Sequence, residues 1–444
     1  MGINALSLSK DRSKNYLTQL KGSVLYKIGA IAATFLAMPF MIKYLGVEQF
    51  GIWATMLTLV TWVMLFDLGI GNGLKNKVSE SIANDDQEAA ASYISTAYVL
   101  IGIISLLLFT VFLISSNWIS WQSVFNTKVV SEDVLKNSVV TLSFFIFFNF
   151  WISLVNQIYQ GLQKSSVVVL GQFISNALAL SFVLLLYFYT QSSIALMVWA
   201  YGISIIIANI TLSFFVFMKY KFLKPKISLF DRIKVDALFS LGAKFFIIQL
   251  AVLVIFMSDK ILITQLIGPE HVTPYEVLFK LFSVLTIIHG LILAPLWPAF
   301  SDAYARKDLS WIRQVIKKQI IIAFLLFICA FILAIIGPFI IKVWIGKEVV
   351  ANFTLYIMFS LFIVVSVWSN VFAYFVNSIN KLSVQLYTAM AAALINIPLS
   401  IFLVKYTDLG TTGIVLSTVI SLSFFAILGP VQVYKLLKRD SNES

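Results

Sequence analysis

"KYKFLKPKISLFDRIK", residues 219–234, is the longest basic stretch in the interior of this 444-residue chain, and apolar sequence runs away from it on both sides. Toward the N-terminus, runs of spanning length lie at about 194–217, 167–189, 138–159, 91–115, 50–70 and 23–45. Toward the C-terminus they lie at about 241–264, 276–297, 319–341, 353–376, 385–404 and 412–433. A helix crossing the roughly 30 Å hydrocarbon core needs about 20 apolar residues, because each residue rises about 1.5 Å. The basic stretch therefore separates two sets of six spans. Barrel strands are excluded because the runs are too long and do not alternate. Helices remain, since they pair every backbone amide within the segment.

Composition agrees: 60% of residues are hydrophobic, 12% are charged and the mean hydropathy is +0.94. A soluble domain of this length could not hide so much apolar surface. Residues 1–22 are polar and carry Lys10, Arg12, Lys14 and Lys21, so they read as a cytoplasmic segment rather than a signal peptide. With that end inside, only Lys43, Lys128, Lys136, Lys342, Lys347 and Lys405 fall on outer connections. The bias predicts a multi-pass protein of the cytoplasmic membrane with both termini cytoplasmic. It also accounts for the net charge of +12 through membrane lipids, with no nucleic acid needed. The single cysteine, Cys329, excludes an intrachain disulfide and reads as a buried small hydrophobe.

The two sets of spans echo each other. At a spacing of 222, Gly46 and Glu48 fall on Gly268 and Glu270, and "SESIANDD" (79–86) falls on "SDAYARKD" (301–308). At 221, "NFWISLVNQI" (149–158) falls on "NVFAYFVNSI" (370–379), and Tyr189-Thr190 resembles Tyr406-Thr407 after a small gap. Shared order and nearly constant spacing point to parallel repeats, an arrangement used by transporters that rock two halves about a central site. The expected organisation is a cytoplasmic segment 1–22, a six-helix bundle 23–218, a basic linker 219–240, a second bundle 241–434 and a tail 435–444.

Ionised side chains in hydrocarbon are costly and usually face a partner or a water-filled cavity. The candidates are Lys27 in span 1, Asp67 in span 2, Lys244, Asp259 and Lys260 in span 7, and Lys280 and His289 in span 8, with Lys280 close to the outer surface. Lys27 and Lys244 each follow a serine by four residues near the inner boundary, where snorkelling is the plainer explanation. Asp259 and Lys260 point about 100° apart, so each calls for its own partner on another helix. Asn149 and Asn370 stand out because the repeat duplicates them, although helix packing is the commoner use of such residues.

"FDLGIGNGLKNK" (66–77) has glycines and lysines but follows a spanning helix rather than a strand, so a phosphate loop is the minor reading. Its glycines suit a helix that ends and reorients at the inner surface, making it a candidate gate hinge. No G-x-x-x-x-G-K-[ST] motif is present, and neither His271 nor His289 belongs to a metal-ligand spacing. No cofactor is expected beyond a coupling ion, H+ or Na+. Outer connections are short, so a membrane enzyme with an external catalytic region is disfavoured.

"YLGVEQFGIW" (44–53) followed by "FDLGIGNGL" (66–74) resembles the polysaccharide transporter family, flippases for lipid-linked oligosaccharides of O-antigen, capsule or exopolysaccharide. The resemblance implies an all-α membrane protein resembling multidrug and toxin extruders: about twelve transmembrane helices in two parallel six-helix repeats around a central cavity. It implies alternating access, no enzymatic activity, and an undecaprenyl-pyrophosphate-linked oligosaccharide as cargo, with polysaccharide polymerase or assembly proteins as partners. In such relatives a cationic cavity receives the pyrophosphate; this sequence offers lysines and no arginine inside its spans. Lys27, Lys244 and Lys260, with Asn149 and Asn370, are the candidate substrate-binding residues. Asp67, Asp259, His289 and Lys280 are the candidates for coupling or gating. The alternative is a cation-coupled multidrug or metabolite antiporter on the same fold, whose cavity should be lined by acids.

Overall fold

In lipid every backbone amide must be paired within the protein, and these apolar runs meet that demand by coiling. A computed structural model describes residues 2–62, 69–239, 243–347 and 349–442; side chains are described except for 2–20, 243–249, 251–254, 256, 298 and 439–442. The helices are α1 (Gly2–Leu45), α2 (Val47–Thr61), α3 (Ile70–Ala83), α4 (Gln87–Ser115), α5 (Trp121–Val124), α6 (Glu132–Ile152), α7 (Leu154–Gly161), α8 (Ser165–Tyr189) and α9 (Ile194–Lys219). They continue as α10 (Ile233–Phe239), α11 (Ala243–Leu266), α12 (Val272–Leu293), α13 (Leu296–Ala305), α14 (Leu309–Trp344), α15 (Phe353–Ser378), α16 (Ser383–Tyr406) and α17 (Thr411–Asn442). Among the described residues, 10 helices are long and apolar enough to cross a membrane. The second and seventh expected spans are the two not among them, and both adjoin undescribed residues, 63–68 and 240–242.

The chain forms two compact units: residues 1–46, 59–124 and 128–246, and residues 47–58, 125–127 and 247–444. In the first, α1 lies along α8 through a ladder of polar contacts on one face. Lys27 Nζ donates to Gln172 Oε1 (3.0 Å), Asn176 Nδ2 donates to Thr34 Oγ1 (3.0 Å), and Tyr44 Oη donates to the Gln191 carbonyl (2.6 Å). The basic stretch that separates the two sets of spans is tied down on α4. Its Lys226 and Asp231 amides donate to Ser95 Oγ and Thr96 Oγ1, and Ser92 Oγ donates to the Leu229 carbonyl.

Of residues 66–77 the structure describes 69–77. Gly69 is left-handed (φ 87°), and a new helix, α3, begins at once and buries Ile70, Leu74 and Val78. Asp67 lies outside the described residues.

In the second unit, α2 is held by contacts close to its motif. Glu48 Oε1 accepts from Thr127 Oγ1 (2.6 Å), Thr273 Oγ1 donates to the Val47 carbonyl (2.5 Å), and the Thr55 and Thr264 hydroxyls pair at 2.7 Å. Gly51 lets the helix meet the 269–272 turn: a Cβ there would stand 1.8 Å from the Pro269 carbonyl oxygen. That opponent is backbone and cannot rotate away. Gly51→Ala is expected to destabilise the protein by about 3 kcal/mol, the upper range for overpacking. A thermal melt in detergent checks this, and an unshifted midpoint would refute the close approach.

The repeat is written in the backbone as well. Left-handed residues recur at Gly46 and Gly268 and at Asp85 and Lys307, both 222 apart, then at Asn126 and Gly346, and at Gln163 and Asn380. Such values are uncommon outside glycine, so their recurrence in register is specific. Asp86 and Asp308, matched by the same spacing, both cap helices, accepting from the amides of Ala89 and Trp311. The Trp311 amide and the Ser310 hydroxyl hold the Asp308 carboxyl below its ordinary value. Thr190 and Thr407 end α8 and α16, each returning its hydroxyl to the carbonyl four residues earlier.

Candidate functional site

Burying a carboxylate without partners is prohibitively costly, so the surroundings of Asp259 carry information. Asp259, on α11, is 2% exposed. Its Oδ2 accepts from Tyr275 Oη of α12 (2.9 Å), and both carboxylate oxygens are 3.2 Å from Thr418 Oγ1 of α17. Behind Thr418, Asn396 Nδ2 of α16 donates to Thr418 Oγ1 (3.2 Å) and Ser417 Oγ (3.4 Å), and Ser258 Oγ donates to Asn396 Oδ1 (3.3 Å). Ser400 and Ser417 share a short hydroxyl contact. Four helices thus converge on one acid with neutral oxygens and amides. Among the described residues no ion pair includes Asp259.

Lys260, one residue on, turns to a different neighbour. Its Nζ lies 2.6 Å from Glu276 Oε2 of α12, both side chains being mostly buried. Lys280 is one turn beyond Glu276 on α12, which puts a second ammonium group on the same face of that helix. α12 starts at Val272 rather than near 276, so both Glu276 and Lys280 lie within it. Glu276 escaped the sequence reading because it sat at the expected edge of span 8. The Glu276-x-x-x-Lys280 spacing was the signal that could have found it.

The remaining candidates separate. Lys27 is bonded to Gln172 as described. Lys244 lies in α11, but its side chain is outside the described residues. Asn149 Oδ1 accepts from Asn209 Nδ2 (2.7 Å), and Asn156 Nδ2 donates to Asn209 Oδ1 (3.1 Å), a chain that ties α6 and α7 to α9. Asn370 instead lines a cavity inside the second unit. His289 is 0% exposed, and neither ring nitrogen has a hydrogen-bond partner among the described residues. Of the nine residues, the structure sets Asp259 and Lys260 against neighbouring residues of α12, Tyr275 and Glu276, and Lys280 lies one turn further along that helix. Tyr275, Thr418 and Asn396 complete the arrangement. Sequence reasoning missed the first two and took the third for packing.

A family model described as "Polysaccharide biosynthesis protein" matches residues 21–304, and one described as "MatE" matches 245–402. A "Putative O-antigen export protein" of Yersinia pseudotuberculosis is 24% identical, covering 80% of this chain and 82% of its own length. A "Putative O-antigen transporter" of Salmonella typhi is 24% identical, covering 96% of this chain and 97% of its own. Among solved structures, an inward-facing multidrug resistance MATE family transporter of the MOP superfamily aligns with a TM-score of 0.79 at 15% identity, covering 93% of this chain and 96% of that one. A MOP superfamily transporter from Pyrococcus furiosus aligns at 0.64 and 15% identity, covering 95% and 97%.

Proposed function

The chain belongs to the polysaccharide biosynthesis protein family and is a multi-pass membrane transporter rather than an enzyme, and from that premise we propose that it flips an undecaprenyl-pyrophosphate-linked oligosaccharide across the cytoplasmic membrane, for surface polysaccharide such as O-antigen. The observation that carries this reading is the mostly buried Lys260, paired with Glu276, with Lys280 one turn along the same helix as Glu276. A pyrophosphate head cannot cross low-dielectric lipid unless fixed cations replace its water, and an organic-cation exporter would need the opposite sign. Lysines supply point charges without the bidentate geometry of arginine, which suits a head that must be released again. Lys27 and Lys244 are assigned to the same task, and Asn370 to the polar cargo.

Asp259 is the coupling residue of this proposal. A buried carboxylate held only by neutral groups offers a site to a proton or a small cation, and the hydroxyl oxygens of Tyr275 and Thr418 beside it suit either H+ or Na+. A ligand shifts a two-state equilibrium only by its differential affinity for the two states, so occupancy at Asp259 changes the balance of access. His289 and Asp67 are assigned to gating. Both termini are placed in the cytoplasm by the charge bias.

The test is reconstitution. Purified protein in liposomes is expected to move a fluorescent undecaprenyl-linked oligosaccharide between leaflets, faster under an imposed proton or sodium gradient. Exchange of a cationic dye with no movement of the lipid-linked sugar would overturn the proposal and favour an antiporter.

A further inference from the structure

The second unit contains a cavity of about 320 Å³ lined by no charged residue among the described ones. Ser366, Ser369 and Asn370 of α15, Gln385 and Thr388 of α16, and Ser421 of α17 line it. The hydroxyls of Ser366, Ser369 and Ser421 and the Gln385 carbonyl oxygen have no hydrogen-bond partner among the described residues, and Ser421 is 1% exposed. Unpaired buried polar groups are rare because each loses its water without replacement. Four beside one cavity with further polar lining call for water in that space. At about 30 Å³ of liquid volume per water, it holds on the order of ten.

Its position gives that water a task. Ile255, Phe279, Ala392 and Ser421 line the cavity, and each lies three or four residues from a member of the Asp259 network, namely Asp259, Tyr275, Asn396 and Thr418. On four helices the cavity is therefore about one turn, roughly 5 Å, from the buried acid. On every one it lies on the same side, toward the start of α11 and α16 and toward the end of α12 and α17. That is the basic end of the bundle. There Arg313 of α14 donates to the Leu437 carbonyl of α17 (2.8 Å), close to Lys317, Lys318, Lys435 and Lys438. By the charge bias this end faces the cytoplasm.

We propose that the cavity is a hydrated antechamber through which the cation of Asp259 exchanges with the cytoplasm, by a route inside the C-terminal unit. The inference rests on Asp259 being the coupling residue. A neutral, hydroxyl-lined chamber lets a cation shed its water in steps without trapping it, because Asp259 is the charge at its end. The field of that acid, acting across a low-dielectric wall, concentrates cations in the chamber.

Thiol labelling tests the chamber independently of transport. In a Cys329→Ser background, which removes the one native thiol, exposed in the structure rather than buried as the sequence suggested, Ser369→Cys and Ser421→Cys are near-isosteric probes on two helices. A small membrane-impermeant methanethiosulfonate is expected to label both from the cytoplasmic side of inverted vesicles and not from the opposite side. The cationic reagent should react about tenfold faster than a neutral one, a preference that Asp259→Asn abolishes while neutral labelling persists. No labelling from the cytoplasmic side at either position, in protein that elutes as a folded species, would overturn the antechamber. Protection by lipid-linked oligosaccharide would overturn it too, by making the cavity a cargo subsite. If the labelling pattern is as expected but Asp259→Asn leaves gradient-driven transport intact, the chamber stands and the coupling assignment falls.

Discussion

Asp259→Asn is expected to lower gradient-driven movement of lipid-linked oligosaccharide by on the order of a hundredfold, the upper range of coupling between linked sites, while movement without a gradient persists. Asparagine keeps the volume and an acceptor oxygen for Tyr275 Oη and Thr418 Oγ1, so the four-helix arrangement survives. It removes the charge, and with it the affinity for a proton or cation that the proposed coupling role requires. Asp259→Leu is a harsher change. It leaves the buried Tyr275 hydroxyl without its acceptor and is expected to cost a further 1–3 kcal/mol or so in stability. Parallel flux assays with and without an imposed gradient separate the two effects. An asparagine variant that responds to the gradient as fully as the parent would end the coupling role.

The second large effect concerns the Lys260 and Glu276 pair. Lys260→Ala leaves a mostly buried carboxylate without its nearest cation, and should destabilise the protein by about 3 kcal/mol, the low end for breaking a buried pair, since the side chains keep 17% and 16% of their exposure. Replacing both, Lys260→Met with Glu276→Leu, removes the unpaired charge and should recover most of that loss. If Lys260 also meets the anionic head of the cargo, the stable double variant stays impaired in transport. Thermal midpoints and flux measured on the same three preparations distinguish a binding lysine from a structural one. Full transport by the double variant would confine the pair to holding α11 against α12.

The contrast between these two neighbours shows where sequence reading stops. Consecutive helical residues diverge by about 100°, so Asp259 and Lys260 had to serve different surroundings. Which surroundings depended on rotations of α12, α16 and α17 that no local pattern encodes. Tyr275 and Thr418 are ordinary residues of apolar helices until packing aims their hydroxyls at an acid. Asn149 and Asn370 make the same point from the other direction. The repeat duplicates them, yet Asn149 joins a packing chain with Asn209, while Asn370 borders the polar cavity.

What the sequence determined by itself was the helical membrane class, the two-fold internal repeat and the scarcity of intramembrane charge. Hydropathy is local and additive along a helix, and left-handed turns such as Gly46 and Gly268 recur wherever a repeat conserves its backbone. Only the tertiary structure decided that Glu276 pairs with Lys260, that four helices enclose Asp259, and that an uncharged polar cavity lies one turn from it. The physical reason is that hydrogen bonds and ion pairs between helices are fixed by rotation and depth. Those follow from the packing of distant segments rather than from the periodicity of any one of them.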